Sequence, residues 1–205
     1  MSVVWLSGPV GAGKSTLARA VRALVHPVAA VALLDEDEVR EAIAEAAMDA
    51  TSSGSTSRVV LLSGVARVLA QQGLVVVVAA SYADDSILLW NHENLPGYRE
   101  VYLRASPETI KHRARRRRSI DGSTSPARPG VGPAIAGPSL AALPSFAPAT
   151  VVGSLRPPDP DLTLDMDNPE PPELLAFRVA VLIPEFVVAA AGAAGLGAHH
   201  LRRGA

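Results

Sequence analysis

"GPVGAGKST", Gly8 to Thr16, follows the apolar run "VVWLS" near the start of the chain. From Gly8 to Ser15 it fits G-x-x-x-x-G-K-[ST] in full, and the context is the one this pattern needs. Val3 to Leu6 are short, apolar and largely β-branched, as a buried parallel strand requires. Lys14 to Val25 have helical spacing through Leu17, Val21 and Leu24. Strand, loop and helix therefore follow in the order that makes a phosphate cradle. Glycines at 8, 11 and 13 let successive backbone N–H groups turn toward phosphate oxygens, and the helix dipole sits beneath them. This reading assigns Gly8, Pro9, Val10, Gly11, Ala12, Gly13, Lys14, Ser15 and Thr16 to ATP binding. Lys14 reaches the β and γ phosphates, Ser15 offers its hydroxyl to Mg²⁺, and Thr16 assists at the α or β phosphate.

Working outward, "VAAVALLD" reads as a second strand ending in acids, and "EVREAIAEAA" as the helix behind it. The polar stretch "TSSGSTS" reads as a loop. From Arg58, helical spacing runs through Val59, Leu62, Val65, Ala66 and Leu69 to a stop at Gly73. "LVVVVAA" behind it is the most strand-like run in the chain and is expected to be a central strand. A helix from about Asp84, the strand "EVYLRA" and a basic helix opened by Pro107 and running to about Arg118 follow. Strands alternating with helices predict a three-layer α/β P-loop NTPase fold with a parallel sheet of about five strands.

Residues 119–160 differ in character, holding nine of the 17 prolines among many Gly, Ser and Ala, and read as a lid insertion or disordered linker. "DLTLDMD" alternates like a last strand, and "PPELLAFRVAVLI" begins with prolines and an acid as a helix does. The expected organisation is a P-loop core over 1–118, the Pro/Gly/Ala-rich insertion over 119–160, the last strand and helix over 161–184, and a tail over 185–205. The apolar part of that tail, about a dozen residues, falls short of the ~20 needed to span a bilayer, so no membrane partner is expected.

With 205 residues, 48% of them hydrophobic, the chain has material for one core of ordinary domain size. Its formal net charge of -1 gives no global attraction for nucleic acid, and 4% aromatic residues leave little for base stacking. Any anion site must be local. Without cysteine there is no disulfide, thiolate metal site or thiol nucleophile, which fits the cytoplasm, and no secretory leader pattern precedes the first strand. The five histidines show no metal-ligand spacing, so the expected metal is Mg²⁺ arriving with the nucleotide.

"LLDEDEVR" places Asp35 and Asp37 at the carboxyl edge of the sheet, where ligands bind in such folds. An acid there organises a Mg²⁺ water or accepts a hydroxyl proton, and a nearby arginine holds an anionic acceptor. The alternative for "DEDE" is a first helical turn whose acids complement the dipole.

Taken in order, "VVWLSGPVGAGKSTLA", "LLDEDEVR", "GLVVVVAASY", "EVYLRASPETIKHR" and "PDLTLDMD" resemble the adenylylsulfate kinase family, of which this chain looks like a divergent member. The resemblance implies transfer of the ATP γ-phosphate to the ribose 3′-hydroxyl of adenylyl sulfate. The family's Asp-Gly-Asp-x-x-Arg motif falls on Asp35, Glu36, Asp37 and Arg40. It implies a magnesium or base role for Asp35 and Asp37 and acceptor binding by Arg40, so that with the loop residues the expected catalytic set is Lys14, Asp35 and Asp37 and the expected magnesium ligands are Ser15 and Asp35. The arginine that the family lays against adenine falls on Arg113. Three departures stand beside this. "SRVVLLSGVARV" has valine and leucine where the family's acceptor helix carries arginines, "SYADDS" replaces Ser-Pro-Tyr-Arg, and the Lys-Gly-Leu-Tyr lid motif is absent.

"LLWNHENLPGYREVYL" looks like the branch that includes kinases of cytidine diphosphoramidate. The acceptor is thus a small nucleotide-like anion, either adenylyl sulfate or another such as cytidine diphosphoramidate. A non-catalytic nucleotide-binding relative with a decayed acceptor site is the reading from a different class. The run "RARRRR" from Arg113 to Arg118 reads as lid cations over the triphosphate or as a solvated helix face. A homodimer is compatible with all of these.

Overall fold

The computed structural model describes residues 1–46, 55–81, 85–120 and 159–200. Along the chain run β1 (Val3–Ser7), α1 (Lys14–Val25), β2 (Val31–Asp35), α2 (Glu36–Ala46), α3 (Ser55–Gln71) and β3 (Val75–Ala79). There follow α4 (Asp85–Asn94), β4 (Arg99–Arg104), α5 (Pro107–Ile120), β5 (Leu162–Asp165), α6 (Pro172–Ala180) and α7 (Pro184–His200).

All four strand pairings are parallel, in the order β2-β3-β1-β4-β5. "VVWLS" and "VVVVA" carry apolar residues on both pleat faces, so each is buried along its whole length between other strands. The "VVVVA" strand is interior, as expected, while the middle of the sheet is β1. Alternation along the strands feeds two cores. Val4 and Leu6 pack with Leu17 and Val21 of α1, Leu175 and Val179 of α6, and Phe186 of α7. Val3 and Trp5 pack on the other face with Val59, Leu62 and Ala66 of α3 and Ile87 of α4. The result is the three-layer α/β architecture predicted from the alternation of elements.

Some boundaries differ from the sequence reading. Helix α3 begins at Ser55, three residues before the expected Arg58, so the end of "TSSGSTS" is helical. Ser and Thr disfavour helix interiors but suit the N-terminus, and the loop signal therefore overlapped a helix start. Helix α5 reaches Ile120. Phe186, just inside the stretch read as a tail, is buried in the first core, and Glu185 accepts a hydrogen bond from the Ser2 hydroxyl at 2.7 Å. Nearly all of the proline-rich segment lies outside the described residues. Among those described, no single helix is long and apolar enough to cross a membrane.

One acid is buried behind the phosphate loop. Glu100 of β4 sits opposite Trp5 in register, and its carboxylate accepts the Ser7 hydroxyl at 3.2 Å. Burial pushes the Glu100 carboxyl up to about 7, against the pull of the Ser7 hydrogen bond and with a further push from Asp161. The folded-state value lies above the unfolded one, so this stabilisation is present at low pH and lost as pH rises through about 7. Glu100→Gln should therefore gain on the parent by on the order of 2 kcal/mol between pH 5 and pH 8. Urea unfolding across that range measures it; a difference that stays constant with pH contradicts the assignment.

Candidate active site

At the end of β1 the chain must reverse into α1 within residues 8–13, against the neighbouring strand. Gly8 has φ 144°, and a Cβ there would lie 2.5 Å from the Leu103 carbonyl oxygen of β4. Only glycine fits. Gly13 caps α1 in the left-handed region at φ 108°, and the Ala12 amide donates to the Pro9 carbonyl at 3.1 Å. Lys14 bends back over the loop, donating from Nζ to the Gly8 and Pro9 carbonyls at 2.9 and 3.0 Å. Burial lowers the Lys14 pKa, and the negative charges of Glu36, Asp37 and Asp35 oppose that shift. Ser15 is half-buried and Thr16 exposed in the first turn of α1, and Val10 at the loop tip is 73% exposed.

The three acids stand where β2 gives way to α2, so both readings of "DEDE" hold a part of the outcome. Glu36, Asp37 and Glu38 form the first turn of α2, facing the positive end of its dipole. Asp35, the last residue of β2, is 3% exposed and accepts the Asp37 amide at 3.1 Å. Its other oxygen is 3.9 Å from Arg19, which bonds Glu38 at 2.7 Å. Asp37 is exposed and pairs with Arg40 at 3.0 Å, one helical turn on. The expected acceptor arginine and the expected acid are thus brought together on one exposed edge of α2.

Glu36 makes contacts that sequence reasoning missed. It is buried and receives the Ser81 amide at 2.7 Å and the Ser81 hydroxyl at 2.6 Å, with Arg58 Nε of α3 at 3.6 Å. It ties the ends of β2 and β3 to α3. The one available signal was its place in a motif where the resembled family has glycine; nothing local points to Ser81, 45 residues away. On α3, Val59 and Leu62 are core residues while Leu61 and Val65 face outward, so the valines and leucines that depart from the family's acceptor helix are divided between core and surface.

Arg113 of α5 reaches the loop from the other side, donating to the Ala12 and Met166 carbonyls at 2.7 Å each. It borders a cleft of about 360 Å³ together with Glu108, Thr109, His112, Arg116 and Asp167. Both bonds use the edge of the guanidinium, and its flat face is perpendicular to them. The side chains of Arg117 and Arg118 lie outside the described residues.

Among the described residues no three His, Cys, Asp or Glu side chains gather into a metal cluster. Ser15 and Asp35 offer oxygen ligands that suit Mg²⁺, a cation held by one or two protein oxygens plus substrate phosphates. The donor set fits a metal that comes with a nucleotide.

Residues 1–124 match the family described as Adenylylsulphate kinase. The chain belongs to the adenylylsulphate kinase family. It is 41% identical over 78 residues to an adenylyl-sulfate kinase of Myxococcus xanthus, a stretch that is 38% of this chain and 42% of that protein. It is 29% identical over 102 residues to a cytidine diphosphoramidate kinase of Campylobacter jejuni, 49% of this chain and 59% of the relative. The chain thus spans about half the length of these relatives. Among solved structures, the Mycobacterium tuberculosis APS kinase CysC in complex with AMPPNP and APS superposes with a TM-score of 0.61 at 21% identity, over 89% of this chain and 96% of that one. The likeness shows that the adenylylsulphate kinase fold extends past the matched segment.

Within this family member, Glu36 should act chiefly as a tie between elements. Glu36→Ala leaves the half-buried Ser81 amide and hydroxyl without their acceptor and should cost about 1–3 kcal/mol. Chemical denaturation of the two proteins side by side tests this, and equal midpoints contradict the role.

Proposed function

We propose that this chain is an ATP-dependent kinase that transfers the γ-phosphate to the ribose 3′-hydroxyl of adenylyl sulfate. The observation that carries the reading is the convergence of Lys14, bent over a glycine-rich loop, with Asp35, Glu36 and Asp37 at the same carboxyl edge of the sheet. A cation faced by acids at that edge is what phosphoryl transfer to a hydroxyl needs, since catalysis there is positioning and charge stabilisation. Family membership supports it.

In this proposal residues 8–16 hold the donor phosphates, and the Lys14 ammonium leaves its two carbonyls to stabilise the group in transfer. Ser15 and Asp35 would hold Mg²⁺ arriving with the nucleotide, which would supply charge neutralisation at the phosphates. Asp35 or Asp37 orients the attacking hydroxyl, Arg40 engages the anionic acceptor, and the flat face of Arg113 lies along the base. The proposed place of action is the cytoplasm.

Cytidine diphosphoramidate, the substrate named for one relative, is the second acceptor to try. The test is ADP release and ³¹P NMR with Mg-ATP and each compound in turn. Acceleration by adenylyl sulfate supports the primary reading; acceleration by cytidine diphosphoramidate alone replaces the acceptor and keeps the kinase. Tight ATP binding that no acceptor turns into transfer overturns the activity. Lys14→Ala should lower turnover by at least about 100-fold with an unchanged circular dichroism spectrum. Normal turnover in that variant contradicts the donor assignment.

A further inference from the structure

The direction of a backbone amide in the phosphate loop depends on a residue far away in sequence. The Ala12 carbonyl and the Gly13 amide belong to one planar peptide unit, and none of the peptide bonds described is cis. In a trans unit the C=O and N–H point opposite ways. Holding the Ala12 carbonyl toward Arg113 at 2.7 Å therefore aims the Gly13 N–H away from α5. Glycine after the carbonyl widens the orientations open to this unit, since Gly13 itself stands at φ 108°. A tie from outside the loop narrows that choice.

Arg113 supplies it from a firm base. Its second bond, to the Met166 carbonyl at 2.7 Å, reaches a residue whose own amide donates to Arg104 of β4 at 2.8 Å, continuing the ladder of the sheet. The guanidinium lies directly over the glycine, since a Cβ on Gly13 would meet Arg113 Nη1 at 3.7 Å and Met166 Cε at 3.5 Å. Both bonds are charge-assisted and match the fork geometry that only arginine offers.

We propose that Arg113 is a positioning residue for the donor phosphates, acting through the Ala12 carbonyl to fix the direction of the Gly13 amide, independently of any contact with the nucleotide base. This rests on the donor site proposed above and gives Arg113 a second task beside the base.

Inorganic tripolyphosphate, which has the phosphates and no base, separates the two tasks. Calorimetric titration of the full chain with ATP and with tripolyphosphate, both with Mg²⁺, is compared for the parent, Arg113→Ala and Arg113→Lys. Arg113→Ala should weaken tripolyphosphate about tenfold to a hundredfold, with ATP weakened at least as much. Guanidinium added at low, non-denaturing concentration should restore part of the loss, which a general loosening of the fold does not permit. Arg113→Lys keeps the charge without the planar fork, should lose less in the same pattern, and carries the test if the alanine variant does not fold. Loss of ATP affinity with tripolyphosphate unchanged overturns the proposal and leaves Arg113 as a base contact alone. A parent that binds neither ligand overturns the donor site and this inference with it, whereas a parent that binds both and fails only in transfer leaves the inference standing and removes the kinase activity.

Discussion

The loop between β1 and α1 lies so close to β4 that the Leu103 carbonyl oxygen would be 2.5 Å from any Cβ placed on Gly8. That contact sets where the chain turns. Because β1 is the middle strand, its carboxyl end is flanked by β3 and β4, and the turn at Gly8 delivers Lys14 above both neighbours. A side chain at position 8 would push the loop away from the sheet and carry the first turn of α1 with it.

Two further ties converge on the same edge from opposite directions. Glu36 binds the ends of β2 and β3 through Ser81, on the flank that also carries Asp35 and Asp37. Arg113 binds the loop to the end of β5 on the other flank. The acids and the lysine therefore meet in a setting partly withdrawn from water. Burial lowers the Lys14 pKa, and the negative charges of the acids counter that shift. The same withdrawal from solvent acts on Glu100, where only a serine hydroxyl stabilises the negative form.

The architecture was legible because its signals are local. Almost wholly apolar five-residue runs announced β1 and β3, two of the three interior strands, helical spacing announced α1 residue for residue, and the loop pattern announced the turn. The start of α3 was misplaced by three residues, since Ser and Thr mark loops and helix N-termini alike. Asp35 and Asp37 could be named from sequence, but not that one is 3% exposed and the other open to solvent and paired with Arg40. Alternation along β2 and the turn into α2 separate them, and that depends on which face of the sheet is covered.

By itself the sequence determined the parallel α/β fold, the phosphate loop and the family, because strand, glycine turn and helix are specified by residues within a few positions of one another. The tertiary structure alone decided the partners of Glu36 and Arg113. Their partners lie 45 and 101 residues away, and a hydrogen bond across such a distance exists only after strand order has brought the segments together.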